Sequence, residues 1–266
     1  MFNEDQNLYY LVVLLNHCKL PLNTEYSFRM CTITFIPKSD NDFILTSNRD
    51  EAPGRETFPP KIYEEEGVRL LYPKDAVAGG TWIGVSDKKR IVCLMNGGFV
   101  AHERKPFYGK SRGLVVKDLL KTANTKQEIE NYDFSEIEPF TAILVEWNTH
   151  LRLLQLVWDG EKYHYSQEPL APHIWSSSPL YPEMLKKKRE QWFSSFLMEK
   201  VNASKEEMLL FHKTAGDGDL NSNLIMDRGF IKTKSITQVF KTEEAVEMRY
   251  EDLQTGKVGD SVFSNQ

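Results

Sequence analysis

The sequence is short of cysteine, of long apolar runs and of any excess of one charge. Its 266 residues include three cysteines, Cys18, Cys31 and Cys93, with no CxxC pair among them. So few and so scattered, they argue against a disulfide framework or a cysteine-rich zinc site, and a reducing, cytoplasmic setting is expected. No apolar run approaches the roughly 20 residues of a membrane-spanning helix. The longest, from Leu8 to Leu15, follows Glu4 and Asp5 and precedes Asn16-His17-Cys18-Lys19. A secretory signal needs basic residues before such a run and small residues after it, so this one fits poorly. The 33 basic and 38 acidic residues are interspersed, net −5, and no basic stripe suggests nucleic acid as a partner. The six histidines form no HExxH or close pair, and no metal site is expected. Asp217-Gly-Asp-Leu-Asn-Ser-Asn223 begins like a calcium loop, but Ser222 and Arg228 stand where such a loop requires Gly and Glu.

What the chain does have is enough apolar material for one large core, 41% hydrophobic and 12% aromatic residues. Residues 1–29 carry little pattern and read as an N-terminal extension, either a start called too early or a propeptide. Residues 30–266 read as a single domain. Cys31-Thr-Ile-Thr-Phe-Ile36 alternates with period 2 and, across Ser39-Asp-Asn-Asp42, pairs with Phe43-Ile-Leu-Thr46 as a hairpin. Further strands are expected at 79–85, 90–95, 140–145, 151–157, 162–165, 173–176, 235–240, 245–250 and 261–263. Helices are expected after Ser111, from Pro182 through Leu197, and from about Ser204 to Lys213. Strands open and close the domain, with helices between. That order favours stacked antiparallel sheets flanked by helices, an α+β architecture, over βαβ alternation.

Three features carry chemistry. If Met30 is removed, Cys31 bears both a thiol and a free α-amine, whose pKa of about 7.7–8.0 suits a general base for its own side chain. A cysteine buried in an apolar strand is the alternative. Asn48-Arg49-Asp50-Glu51 ends the strand paired with the Cys31 strand, so Asp50 and Arg49 fall near the Cys31 nitrogen. There a carboxylate can hold an ammonium and a guanidinium can bind an acyl oxygen or a carboxylate; a salt-bridged hairpin end is the alternative, and Arg55 and Arg69 fit either version. Asn96 ends another strand, and its amide suits an oxyanion donor, while Asn96-Gly97 also suits a plain turn.

These motifs resemble, in order, those of the NRDE proteins, the transport-and-Golgi-organisation protein 2 family. They are Met30-Cys-Thr-Ile-Thr-Phe35, Ser47-Asn-Arg-Asp-Glu51, Ala78-Gly-Gly-Thr-Trp-Ile-Gly84, Leu94-Met-Asn-Gly97 and Ser111-Arg-Gly-Leu-Val115. The resemblance spans about residues 30–266 and is closest to a bacterial member. The family is similar in turn to the cysteine branch of the N-terminal-nucleophile (Ntn) hydrolases, the bile-salt hydrolases and penicillin V acylases. It therefore implies a four-layer αββα sandwich and amide cleavage. Cys31 matches the nucleophile, Asp50 the carboxylate and Asn96 the oxyanion residue. The arginine departs from the pattern: Ser47 stands in its place and Arg49 lies two residues later.

The resulting expectation is an acylase acting on an acyl amide or thioester, without metal or cofactor, using Cys31, Asp50 and Asn96. Asn48, Arg49, Arg55, Trp82, His102 and Arg112 are the expected substrate contacts. Relatives linked to haem and acyl-CoA or lipid homeostasis imply a second expectation, a non-enzymatic carrier of haem or an acyl ligand, with Arg49, Arg104 and Arg112 receiving its carboxylates or phosphates. Trp82 and Trp175 are candidates for an acyl pocket, and Lys186-Lys-Lys-Arg189 reads as the solvated face of a helix. No oligomeric state is expected from the sequence.

Overall fold

The alternation that begins at Cys31 becomes the first strand of a two-sheet sandwich. The computed structural model describes residues 31–177 and 183–264; the N-terminal extension, Met30 and the helix start at Pro182 lie outside them. Strand β1 (Cys31–Pro37) pairs antiparallel with β2 (Phe43–Glu51), with Cys31 opposite Arg49 and Thr32 opposite Asn48. Ile33 and Phe35 of β1 enter the core between the sheets, and Thr34 and Ile36 face the other way, as a period of two requires.

The other strands are β3 (Thr57–Glu65), β4 (Val68–Asp75), β5 (Ile83–Ser86), β6 (Arg90–Asn96), β7 (Phe140–Glu146), β8 (Arg152–Trp158), β9 (Tyr163–Glu168), β10 (His173–Ser176), β11 (Lys232–Lys241), β12 (Val246–Asp252) and β13 (Val258–Phe263). One sheet runs β10-β1-β2-β11-β12-β13 and the other β3-β4-β5-β6-β7-β8-β9. Phe35, Phe43 and Leu45 of the first meet Ile83, Ile91 and Ile143 of the second in the central core. Helices α1 (Arg112–Lys121) and α2 (Thr125–Asn131) cover the outer face of the second sheet through Val115, Leu119 and Ile129. Helices α3 (Glu183–Glu199) and α4 (Lys205–Thr214) cover the first through Phe193, Met208 and Phe211. Ser204 and Glu207 form a reciprocal cap at the start of α4. The result is the αββα sandwich.

Several local expectations change. Strands β3 and β4 were not expected, because Pro59-Pro60 and the run Glu64-Glu65-Glu66 hide the pattern. Strand β3 tolerates its prolines as an edge strand with a bulge between Phe58 and Lys61. Strand β2 runs beyond Thr46 through Ser47–Glu51, all buried, so the NRDE segment is the end of that strand and lies beside the start of β1, as expected. Residues 79–82 are loop, and β5 begins at Ile83. Ser111 precedes α1 but its side chain makes no capping bond. Arg69 lies over the Phe263 ring, and Trp175 stacks on His173 against the central core. Arg189 is fully buried, so only the lysines beside it fit the solvated reading.

The Gly-rich motifs explain themselves by close approach. A Cβ on Gly80 would lie 2.6 Å from the Gly113 carbonyl carbon, and the Thr81 N–H donates to the Gly113 oxygen at 3.2 Å. Two glycines let the 79–82 loop touch the first turn of α1.

Candidate active site

Five chain segments end or begin at one edge of the sandwich: the start of β1, the ends of β2, β4 and β6, and the loop 97–111 leading into α1. Between them lies a cavity of about 360 Å³. Of the expected site residues, Cys31, Asp50, Asn96, Arg49, Arg55, Trp82 and Arg112 line it. Asn48 and His102 do not.

Cys31 is 4% exposed, and its thiol is pushed up to about 12. Burial is the main cause and the Asp50 charge adds to it, against the Asp50 backbone N–H and the Arg49 charge. The thiol is therefore protonated at neutral pH and needs a base to react. Asp50 is 2% exposed, and neither carboxylate oxygen has a well-formed hydrogen bond among the described residues. Burial lifts its pKa to about 7 against the pull of the Thr233 hydroxyl, Arg189, Arg228 and Arg49. The Thr233 hydroxyl itself points at the Leu224 carbonyl (3.3 Å), so it acts on Asp50 as a nearby dipole.

Arg49 and Arg55 are held by carboxylates. Arg49 Nη2 donates to Glu51 Oε2 (3.2 Å) and Asp75 Oδ2 (2.9 Å), and its guanidinium lies 4.4 Å from the Trp82 ring centre. Arg55 donates to both oxygens of Asp75, at 2.6 and 3.1 Å. Asp75 also accepts from the N–H groups of Val77 and Ala78, closing the turn after β4. Burial raises Asp75, but Arg55 and these bonds outweigh it and hold the carboxyl below its ordinary value. Across the cavity, Arg112 Nη2 lies 3.1 Å from Glu138 Oε2 and its Nη1 donates to the Pro139 carbonyl. Glu138 is likewise held down, with burial opposed by His102, Arg112 and Arg104.

Asn96 is the last residue of β6, and Gly97, at φ +84°, turns the chain directly after it. Ser177 ties this end to the start of β1: its N–H donates to the Cys31 carbonyl (3.1 Å) and its Oγ to the Asn96 carbonyl (2.5 Å).

Two expected contacts are corrected. Asn48 faces the helices. Its amide donates to the His212 and Leu224 carbonyls, at 3.2 and 2.9 Å, and its oxygen meets His212 Nδ1 at 2.7 Å. In a strand, neighbours 48 and 49 point to opposite faces, and Arg49 takes the cavity side. His102 is not among the lining residues and lies 3.5 Å from Glu138, which is. Sequence reasoning missed Asp75, Glu138 and Ser177. Asp75 ends a strand that was itself missed, and the other two carry no local signal. Among the described residues no cluster could hold a metal ion, and no helix is long and apolar enough to cross a membrane.

Solved structures share this architecture at low identity. A variant of conjugated bile acid hydrolase from Clostridium perfringens superposes with a TM-score of 0.57 and 8% identity, over 87% of this chain and 92% of that one. Penicillin V acylase from Agrobacterium tumefaciens gives 0.53 and 10%, over 86% and 85%. The Caenorhabditis elegans orthologue of N-acylethanolamine-hydrolysing acid amidase gives 0.52 and 13%, over 78% and 92%. The fold is therefore that of the Ntn hydrolases. No curated protein sequence matches the chain. The family described as Transport and Golgi organisation 2 matches residues 30–245, most of the length, and the chain belongs to it.

Proposed function

We propose that this protein is an Ntn-type amidohydrolase or acylase that works once Cys31 has become the first residue. The observation that carries this reading is Asp50: a buried carboxylate without a well-formed hydrogen bond among the described residues, lining the cavity where β1 begins. A buried charge left in that state costs stability, and an α-ammonium on Cys31 is the partner that would relieve it. While Met30 remains attached, the Cys31 nitrogen is an amide and cannot act as a base.

In the processed chain the α-amine takes the thiol proton, and the thiolate attacks the acyl carbonyl carbon. The Asn96 amide donates to the oxyanion that forms. The ammonium then gives its proton to the departing amine or thiol, leaving an acyl thioester on Cys31. Water, deprotonated by the same amine, adds to that thioester; the acid leaves and the thiol recovers its proton. Arg112 and Arg104, on the opposite wall, supply positive charge for polar groups of the substrate. The neighbours' names (a conjugated bile acid hydrolase, an acylase and an amidase) agree with acyl-amide chemistry.

A second reading, a carrier of haem or an acyl ligand, draws on the protonated thiol of Cys31 and on the arginines in the cavity wall. A panel of acyl amides and acyl thioesters separates the two. Turnover by the wild type and none by Cys31→Ala supports the hydrolase. A Soret shift on haem titration with no turnover of any panel member supports the carrier.

A further inference from the structure

The Cys31 cavity is charged inside and apolar at its rim. Five cationic side chains and four carboxylates line it, so the interior favours polar groups over an alkyl chain. At the rim stand Val77, 74% exposed, and Phe107, 77% exposed, with Val100, 72% exposed, on the same loop as Phe107. Single apolar side chains on a surface are ordinary and call for no explanation. These, however, are held outward by the backbone beneath them. Val77 sits in the turn after β4, where Asp75 Oδ1 accepts from the Val77 and Ala78 N–H groups at 3.1 and 2.9 Å. The Gly79 N–H donates to the Asp75 carbonyl at 2.9 Å and closes that turn. Phe107 sits in a turn closed by the Lys105 N–H, which donates to the Tyr108 hydroxyl at 3.1 Å. Phe99, near the start of the same loop, packs edge-on against His164 (ring centres 4.8 Å apart) and fastens that end.

The two lips belong to one surface. Ala78 and Phe107 line the same cavity. The loop carrying Val77 touches the start of α1 where Gly80 meets Gly113, and the loop carrying Phe107 leads into that helix. The charge at the rim is one-sided. Loop 97–111 carries Arg104, Lys105 and Lys110 against Glu103 alone, and the 76–80 turn carries none, in a chain of net charge −5. Arg104 and Lys110 face Glu138 and Asp118, while Lys105 is exposed. The cavity opening separates Val77 from Phe107, which suits a fluid apolar phase better than the continuous packed core of a protein interface. Apolar tips flanked by cations match the boundary of a bilayer, where such side chains enter the acyl region and the cations meet the headgroups.

We propose that the cavity mouth docks on a membrane surface containing anionic lipid, with Val77, Val100 and Phe107 entering the interface and Lys105 meeting the headgroups. An amphiphilic ligand can then pass its polar part into the cavity while its alkyl chain stays in the bilayer. The docking does not rest on the hydrolase reading; it serves a carrier equally.

The test sediments full-length protein with vesicles of phosphatidylcholine alone and of phosphatidylcholine mixed with phosphatidylglycerol. The wild type should bind the mixed vesicles, and the neutral ones at least about threefold less. The double variant Val77→Asp/Phe107→Asp should lose at least about tenfold in partition to the mixed vesicles. Lys105→Glu should reduce it by a smaller factor. Val201→Asp is the control. Val201 is 85% exposed but lies two residues before Ala203, whose carbonyl accepts from Lys38 just past the far end of β1. Its partition should equal that of the wild type. Should the double variant fail to fold, Phe107→Trp gives an independent readout, a blue shift of the added tryptophan's emission on the mixed vesicles. Wild-type protein that stays in solution with both vesicles overturns the proposal, as does equal binding to the two. A double variant that binds like the wild type, a Val201→Asp variant that loses as much, or no shift in Phe107→Trp overturns it as well.

Discussion

Asn48 and Asp50 stand two residues apart on β2, both buried, and differ in what surrounds them. Every polar atom of the Asn48 side chain has a partner, supplied by His212 and Leu224. Among the described residues Asp50 has neither oxygen in a well-formed hydrogen bond, and it lines the cavity. A satisfied buried amide holds two layers together. A buried carboxylate without such bonds is a cost that the rest of the fold must offset, and such costs concentrate where chemistry is done. The NRDE segment thus combines a structural residue with a functional candidate, and burial alone does not tell them apart.

The largest expected effect breaks the structural half of this contrast. Asn48→Ala strands His212 Nδ1 and two carbonyls, and should cost roughly 3–5 kcal/mol in urea unfolding. The opposite sign is expected at Asp50. Its folded pKa, about 7, lies above the ordinary carboxylate value, so the wild type loses stability as pH rises from about 4 to 7 and then levels off. Asp50→Asn should therefore stabilise the full-length chain at pH 8, by up to roughly 4 kcal/mol from a shift of about three units, and should abolish any turnover. A destabilised Asp50→Asn at pH 8 would mean that the carboxylate is already well paired.

His212 sharpens the comparison through its own titration. Burial, with Arg189 adding to it, pushes its pKa down to about 3. A depressed histidine stabilises the fold above its unfolded pKa of about 6.5, and that stability is lost as pH falls toward 3. Between about pH 4 and 6.5 the Asp50 and His212 slopes have opposite signs and cancel. Asp50→Asn should unmask the histidine slope, about 1.4 kcal/mol per pH unit rising with pH. A variant as flat as the wild type in this window would refute the pairing of effects. The smallest effect belongs to Lys188, whose half-exposed ammonium pairs with Asp217 one residue from the buried Arg189. Lys188→Ala should change stability by less than about 0.5 kcal/mol.

Much of this fold is legible in the chain. The alternation at 31–36 and 43–46 marks β1 and β2. The contrast between Asn48 and Asp50 is not legible, because it depends on His212 and Leu224, 164 and 176 residues away. Nothing near position 48 announces an imidazole waiting under the sheet. Arg189 is hidden for a related reason: in a run of four basic residues, only the packing of α3 shows which one turns inward. Strand β3 is hidden by prolines and glutamates that an edge strand can carry.

The central claim is that Asp50 awaits an ammonium on Cys31, and the intact mass of the purified protein tests it most directly. The account predicts a mature chain that begins at Cys31, with residues 1–30 gone. A chain that is active on acyl amides while still carrying Met30 and the residues before it would contradict the account.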